Sequence, residues 1–183
     1  MNQLKSWGFS AQWWRGERGE YWVIGQGLMF LGITLLPVYP AARIVTGIVN
    51  RFSGGSIDPS APIWQYTSWG LTGFLGTIAA VFLLGGSINL GTNITPLPHP
   101  KDESYLVTAG VYSLVRHPIY SGVIFLTLAY SCWQGSLSHL IGAFAFFLFF
   151  DAKARKEESW LREKFTDYDT YRSQVKKLIP WIY

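Results

Sequence analysis

The sequence has few charged residues and a single cysteine. Only 14% of its 183 residues are Asp, Glu, Lys or Arg, while 49% are hydrophobic and 17% are aromatic. A soluble globular domain has about 25% charged residues, so we interpret the chain as an integral membrane protein. Cys132 is the one cysteine, which excludes an intramolecular disulfide and says nothing about the compartment.

Three long segments carry no charged residue. Those from about 22 to 38 and from about 63 to 88 approach the roughly 20 residues that cross a bilayer. The third, 118–150, is too long for one crossing and fits two crossings joined by a tight turn at Gln134-Gly135-Ser136. The sequence therefore predicts an all-α, polytopic membrane helix bundle with four spans. A fifth, re-entrant element is the alternative.

Interfacial elements are predicted at two places. In the segment from Pro40 to Phe52, Arg43 and Arg51 alternate with apolar residues, as in a short helix that lies on a membrane surface. The N-terminal arm, residues 1–20, has no apolar core of the signal-peptide kind. Its aromatic residues instead favour an anchor at headgroup level: Trp7, Phe9, Trp13 and Trp14.

The distribution of Lys and Arg predicts the orientation. With four crossings, thirteen of these residues fall on the side of both termini, and only Arg43 and Arg51 fall on the other. The positive-inside rule then places both termini and the 101–117 region in the cytoplasm. The net charge of +4 is explained by attraction to anionic lipid headgroups rather than nucleic acid, because no basic stripe at groove spacing occurs.

The connection between the second and third spans leads into a candidate ligand site. Prolines at 96, 98 and 100 exclude a helix there, and a plain surface connector is the simplest interpretation. Pro118 then fits the first turn of the third span, which leaves the amides of Ile119 and Tyr120 free to face a carboxylate or hydroxyls. Taken singly, His117 is also explained as an interfacial cap, and Arg116 as a snorkelling charge.

The segment after the fourth span continues as a helix with a charged face. Lys153, Glu157 and Leu161 are four residues apart and share one face. Glu157 with Glu158 forms a carboxylate pair just below the span, suited to ribose hydroxyls or an ammonium group. A solvated charged helix is the alternative interpretation.

Five ordered motifs in the C-terminal half resemble the isoprenylcysteine carboxyl methyltransferase and phospholipid methyltransferase superfamily. They are Leu106-Val-Thr-x-Gly-x-Tyr112, Arg116-His-Pro-x-Tyr120-x-Gly122, Glu157-Glu-x-x-Leu161, Phe165-x-x-Tyr168-x-x-Tyr171 and Ile179-Pro-Trp181. The resemblance implies S-adenosylmethionine in a pocket that the cytoplasmic C-terminal helical segment closes. It implies cofactor contacts at Leu106, Val107, Tyr112, His117, Pro118, Ile119, Tyr120, Glu157 and Glu158.

The resemblance also implies methyl transfer to a lipid-soluble or membrane-partitioned acceptor, such as a prenylcysteine-like carboxylate or a lipid amine. Arg116 and Arg155 are the predicted catalytic residues, and Lys153 and Arg155 the predicted substrate-binding residues. The chain departs from the prenylcysteine branch, which has Arg at the position of Lys153, His at Ser104 and Gln near Leu97. Lys keeps the charge but loses the planar fork that binds a carboxylate. No metal ligand set is predicted.

The whole chain, 1–183, is predicted to be one membrane domain. The N-terminal arm is followed by the spans and loop of 21–105 and by a cofactor-binding half at 106–183. The first 90 residues offer no distinctive polar group, and the oligomeric state stays open. Two other functions fit: a sterol or steroid type of reductase using a nicotinamide cofactor, which the same resemblance implies, and a non-catalytic membrane scaffold.

Overall fold

The computed structural model describes residues 15–183, and this part of the chain is helical. It contains six α-helices and no β-strand. The predicted aromatic anchor at residues 7–14 lies outside the described residues. The helices are α1 (Glu20–Leu35), α2 (Ala41–Ser53), α3 (Pro62–Leu90), α4 (Pro118–Gln134), α5 (Leu137–Lys164) and α6 (Tyr168–Gln174), with 3-10 turns at Gly91–Asn93 and Gly110–Ser113.

The predicted turn at Gln134-Gly135-Ser136 is present and joins two helices in a hairpin. Helix α4 ends at Gln134, Gly135 adopts a left-handed conformation with φ 53°, and α5 begins at Leu137. The Gly135 amide donates to the Cys132 carbonyl at 2.9 Å, which closes the last turn of α4. Helix α5 then continues to Lys164, so the predicted helical continuation through Leu161 is also confirmed.

Two of the described helices are long and apolar enough to cross a membrane: Pro62–Asn93 and Leu137–Lys164. Helices α1 and α4 have 16 and 17 residues. At 1.5 Å per residue they reach roughly 24 to 26 Å, somewhat less than a typical hydrocarbon core. The count of four crossings therefore stays a prediction.

The predicted amphipathic helix is present as α2, and it is attached to the α4–α5 turn. The Ala41 amide donates to the Gly135 carbonyl at 2.8 Å, and the Leu137 amide donates to the Tyr39 carbonyl at 2.9 Å. These bonds place the start of α2 at the same end of the bundle as the hairpin turn. The opposite end holds the cavity described below.

Helices α3 and α4 pack closely because glycines face the neighbouring helix. A Cβ on Gly122 of α4 would lie 2.6 Å from Leu83 Cγ and 3.0 Å from the Leu83 amide nitrogen. A Cβ on Gly86 of α3 would lie 2.9 Å from Ile119 Cγ1. The absence of side chains here lets the first turns of α4 lie directly against α3.

The segment after α6 folds back onto the bundle. Leu178 is fully buried and joins a core cluster with Phe146 and Phe150 of α5. The Arg116 and His117 amides donate to the carbonyls of Lys176 and Lys177, at 2.8 and 3.1 Å. Residues 176–178 therefore run beside residues 115–117 and hold the chain that enters α4.

Candidate functional site

A cavity of about 170 Å³ lies where the start of α4, the charged half of α5 and the loop before α4 meet. Most of the residues predicted for the site line it: Leu106, Val107, Tyr112, Arg116, His117, Pro118, Ile119, Tyr120, Lys153 and Glu157. Arg155 and Glu158 do not line it. The three residues predicted to share one helix face, Lys153, Glu157 and Leu161, all face this cavity.

The first turn of α4 forms one wall of the cavity. Pro118 occupies the start of the helix, and the preceding residue, His117, makes no side-chain hydrogen bond that caps it. The N-terminal amides and the positive end of the helix dipole are therefore available to an anionic or hydroxyl group. The His117 and Tyr120 rings are parallel, with centroids 5.3 Å apart.

Glu157 closes over this turn from α5. The Tyr120 hydroxyl donates to Glu157 Oε2 at 2.6 Å, and His117 Nδ1 lies 3.7 Å from the same oxygen. The two acidic residues of the pair thus have different environments. Glu157 is partly exposed to the cavity, whereas Glu158 points into the protein.

Glu158 forms a buried ion pair with Arg116. Arg116 Nε and Nη2 lie 2.9 and 2.8 Å from Glu158 Oε1, and both side chains are only 7% exposed. His117 Nε2 is 3.2 Å from the same oxygen. Arg116 Nη1 also donates to the backbone carbonyls of Arg172 and Val175. These contacts favour a positioning role for both residues, because the guanidinium is occupied by the protein itself.

Arg155 lies away from the cavity. Its side chain is 64% exposed and pairs with Asp151 one turn earlier on α5. Asp151 Oδ1 also accepts from Lys177 Nζ and the Tyr183 hydroxyl, both at 2.8 Å. Burial lowers the pKa of Lys177, but the bonds to Asp151 and Tyr183 outweigh that effect and leave it raised. This cluster therefore fastens the C-terminal segment to α5.

Helix α6 contributes two tyrosines to the site. Both belong to the motif Phe165-x-x-Tyr168-x-x-Tyr171, which by itself predicted no role for them. Tyr168 and Tyr171 line the cavity, and the Tyr171 hydroxyl donates to the Tyr112 carbonyl at 2.6 Å. The Tyr168 hydroxyl is buried and has no hydrogen-bond partner in the described part of the chain. Burial, followed by the negative charge of Glu157, raises the pKa of the Tyr112 phenol, so this hydroxyl stays protonated near neutral pH.

The proline-containing loop is a wall of the cavity rather than a plain connector. Thr95, Pro96, Leu97, Pro98 and Pro100 line it. Lys164, at the end of α5, holds the loop by donating to the Asp102 carbonyl at 2.8 Å and to Ser104 Oγ at 2.9 Å. The loop therefore forms one side of the cavity. Helix α5, which forms another side, holds the loop in place through Lys164.

Lys153 is a buried residue of the cavity lining and lies one turn nearer the apolar half of α5 than Glu157 does; we call this end of the cavity its deep end. It is 2% exposed, and its Nζ donates to Gln26 Oε1 at 2.9 Å and to the Pro96 carbonyl at 3.2 Å. The ammonium lies 5.1 Å from the centre of the Tyr120 ring. Gln26 of α1 lines the same cavity. The interpretation that the first 90 residues offer no distinctive polar group was wrong, because a lone Gln in an apolar helix gives no sign of its partner.

The helical fold, the membrane-length helices and the cavity at one end of the bundle define a class of helical, membrane-associated proteins. A family model described as phospholipid methyltransferase matches residues 69–168. That match contains most of the cavity lining from α3, α4 and α5. The chain belongs to the phospholipid methyltransferase family, and the resemblance drawn from its motifs is confirmed.

Several curated relatives are similar to this chain. A probable protein-S-isoprenylcysteine O-methyltransferase of Oryza sativa subsp. indica is 38% identical over 89 residues, covering 46% of this chain and 45% of the relative. The Schizosaccharomyces pombe protein-S-isoprenylcysteine O-methyltransferase is 37% identical over 82 residues, covering 44% and 35%. The Arabidopsis thaliana protein-S-isoprenylcysteine O-methyltransferase B is 29% identical over 126 residues, covering 65% and 61%. The matches span about half the length of the first two relatives or less.

Proposed function

We propose that this protein transfers a methyl group from S-adenosylmethionine to a lipid-soluble or membrane-partitioned acceptor. One observation carries the proposal: the uncapped start of α4, Tyr120 and Glu157 line one cavity, and this cavity lies at one end of the membrane-length helices. A water-soluble cofactor and a hydrophobic acceptor can meet at such a place. Membership of the phospholipid methyltransferase family supports the same reaction.

The residues around the α4 start suit the proposed cofactor. The amides of Ile119 and Tyr120 would bind its carboxylate or ribose hydroxyls, and Glu157 would accept hydrogen bonds from ribose hydroxyls or from its ammonium group. Tyr112, Leu106 and Val107 would enclose the remainder. When bound, the cofactor supplies a sulfonium-activated methyl group. The chain's own residues then have to orient the two reactants and exclude water.

The deep end of the cavity suits the acceptor. Lys153 lies one turn nearer the apolar half of α5 than Glu157 does, beside Phe150 and Tyr120. A greasy acceptor would reach this end from the hydrocarbon region. The names of the relatives suggest a prenylcysteine acceptor, and the name of the family suggests a phospholipid. Arg155 pairs with Asp151 outside the cavity, so we assign acceptor binding to Lys153.

The same proposal includes the membrane arrangement. One domain of four crossings would place both termini and the cavity at the cytoplasmic surface, where S-adenosylmethionine is available. Arg116 and Glu158 would then be positioning residues rather than residues that bind the cofactor or the acceptor. Their buried ion pair holds His117 and the C-terminal segment in place.

Calorimetry on the purified full chain tests the cofactor assignment. We expect S-adenosylmethionine to release heat with a micromolar dissociation constant, and NADPH to release none. His117→Ala and Glu157→Ala should abolish binding, whereas Glu163→Ala, an exposed carboxylate on the same helix, should not. Binding of NADPH alone would support the reductase instead, and inertness to both cofactors would support the scaffold.

Methyl transfer is then measured with cofactor labelled in its methyl group. We expect label in N-acetyl-S-farnesylcysteine or in phosphatidylethanolamine when each is presented in vesicles. His117→Ala should remove the label from whichever probe accepts it. Cofactor binding without label in either probe would disprove both suggested acceptor classes.

A further inference from the structure

The geometry points to Gln26 as a residue that determines acceptor specificity. It holds the Lys153 ammonium at the deep end of the cavity and, with it, selects an acceptor that presents an anionic oxygen group. This inference rests on the proposed function and extends it to a residue on α1. That helix lies outside the segment matched by the family model, which begins at residue 69.

Among the described residues, Lys153 carries a buried charge without an ion-pair partner. Within residues 15–183, its hydrogen bonds go to two neutral oxygens, Gln26 Oε1 and the Pro96 carbonyl, and no carboxylate lies within ion-pair distance. A buried ammonium in such surroundings is costly and is retained mainly where it binds something. An anionic ligand group would supply the missing charge.

The hydrogen bond from Lys153 determines which way the Gln26 amide group points. An ammonium group only donates hydrogen bonds, so the amide oxygen has to face Lys153 and the amide nitrogen has to face away. That nitrogen, Nε2, makes no hydrogen bond in the described part of the chain, and Gln26 lines the cavity. One of the three Lys153 donors is also unused.

Gln26 Nε2 and the remaining Lys153 donor give this end of the cavity two unused hydrogen-bond donors and a positive charge. Oxygen acceptors fit such an end, and an anionic oxygen fits best because it gains both the hydrogen bonds and the charge. A protonated amine at the same place would be repelled. The pair therefore favours a carboxylate or phosphate group over an uncharged amide.

The position of Lys153 on α5 assigns this anionic group to the acceptor rather than to the cofactor. Along α5, Lys153 lies between the buried Phe150 and the partly exposed Glu157. Successive turns of a helix are about 5.4 Å apart, so Lys153 lies one turn nearer the apolar half of α5 than Glu157 does. A group anchored there belongs to a molecule that enters from the hydrocarbon region.

Gln26→Glu is the decisive variant. A carboxylate at this position still holds Lys153, now as an ion pair, so a merely structural role of Gln26 would survive the change. The charge available to the acceptor is neutralised, so an acceptor role would not survive. Gln134→Glu, the same change at the opposite end of the bundle, is the matched control.

The measurement is the binding of N-acetyl-S-farnesylcysteine and of its carboxamide to the full chain in nanodiscs. We expect the wild type to bind the carboxylate at least about tenfold more tightly than the carboxamide, since hydrogen bonds to charged groups are the stronger ones. Gln26→Glu should remove this preference and raise the dissociation constant of the carboxylate by a similar factor. The dissociation constant of S-adenosylmethionine should change less than about twofold.

Three results would overturn the inference. Equal binding of the two probes by the wild type would show that no anion is recognised. An unchanged preference in Gln26→Glu would show that Gln26 is structural. If the Glu variant does not fold, Gln26→Leu removes the Nε2 donor and the oxygen that holds Lys153 but leaves the Lys153 charge, so it should weaken the preference, and an unchanged preference would again show that Gln26 is structural. A parallel loss of S-adenosylmethionine affinity would assign the pair to the cofactor. Failure of the wild type to bind S-adenosylmethionine would instead contradict the proposed function, while leaving the probe comparison readable.

Discussion

The Tyr120 hydroxyl donates a hydrogen bond of 2.6 Å to Glu157 Oε2, which joins the first turn of α4 to a carboxylate 37 residues later in the chain. This bond fixes the carboxylate over the helix start. It also positions the Tyr120 ring between His117 and Lys153. The predictions below depend on this arrangement and on the packing behind it.

Removing this bond should weaken cofactor binding without unfolding the protein. In Tyr120→Phe, Glu157 loses the donor that orients it, and the loss of one charge-assisted bond corresponds to about tenfold in affinity. Calorimetry with S-adenosylmethionine measures the change. Tyr66→Phe, at an exposed tyrosine of α3, is the control and should leave the affinity unchanged. Equal affinity for all three proteins would show that Tyr120 does not position Glu157 for the cofactor.

Breaking the Arg116–Glu158 pair should destabilise the fold strongly. Glu158→Gln leaves the buried Arg116 charge unpaired, and such a change costs about 3 to 5 kcal/mol of unfolding free energy. The exposed Arg162–Asp169 pair offers a matched control, since Asp169→Asn should cost less than about 1 kcal/mol. Unfolding in detergent, followed by circular dichroism, measures both variants. If both variants lose a similar, small amount of unfolding free energy, the buried pair does not hold the C-terminal segment.

Helix contact at Gly122 should be intolerant of a single methyl group. Gly122→Ala would bring a Cβ within 3.0 Å of the Leu83 backbone and separate α3 from α4, at a cost of about 1 to 3 kcal/mol. Gly73→Ala has open space around the new Cβ and should be neutral or slightly stabilising, because Ala favours helix. The difference in melting temperature between the two variants measures the effect. A melting temperature unchanged by Gly122→Ala would contradict the close packing.

The orientation in the membrane is open to labelling, because Cys132 is the only cysteine of the chain. In a Cys132→Ser background, single cysteines at Ser53 and Gln174 place reporters at the end of α2 and at the end of α6. An impermeant maleimide added to intact cells should label Ser53→Cys, while Gln174→Cys should react only after permeabilisation. The reverse pattern would invert the predicted topology, and labelling of both before permeabilisation would rule out the three crossings predicted between them.

Much of the helix order could be predicted because it follows from local patterns. The uncharged run of 118–150 and its Gln134-Gly135-Ser136 turn gave the α4–α5 hairpin, since Gly135 adopts the left-handed conformation that ends a helix. The spacing of Lys153, Glu157 and Leu161 gave their common face. The motif residues that line the cavity could be predicted because their motifs resemble those of a known family.

Other contacts of the site had no such pattern. The pairing of Glu158 with Arg116 rather than with a ligand depends on which way two adjacent carboxylates point, and neighbouring helix residues differ by about 100° in direction. The exclusion of Arg155 from the cavity has the same cause. The role of the C-terminal segment depends on its pairing with residues 115–117, some 60 residues earlier.

The sequence by itself determined an all-helical chain with membrane-length apolar segments and a hairpin at Gly135. Its local periodicity and its charge distribution suffice for that, because both act within a few helical turns. The candidate site at His117, Tyr120 and Glu157 followed from the resemblance of its motifs to a known family. Only the tertiary structure decided that Gln26 accepts a hydrogen bond from Lys153, 127 residues away, and that Arg116 forms an ion pair with Glu158. Those contacts arise from the packing of helices distant in the chain, which is set by shape and burial rather than by spacing.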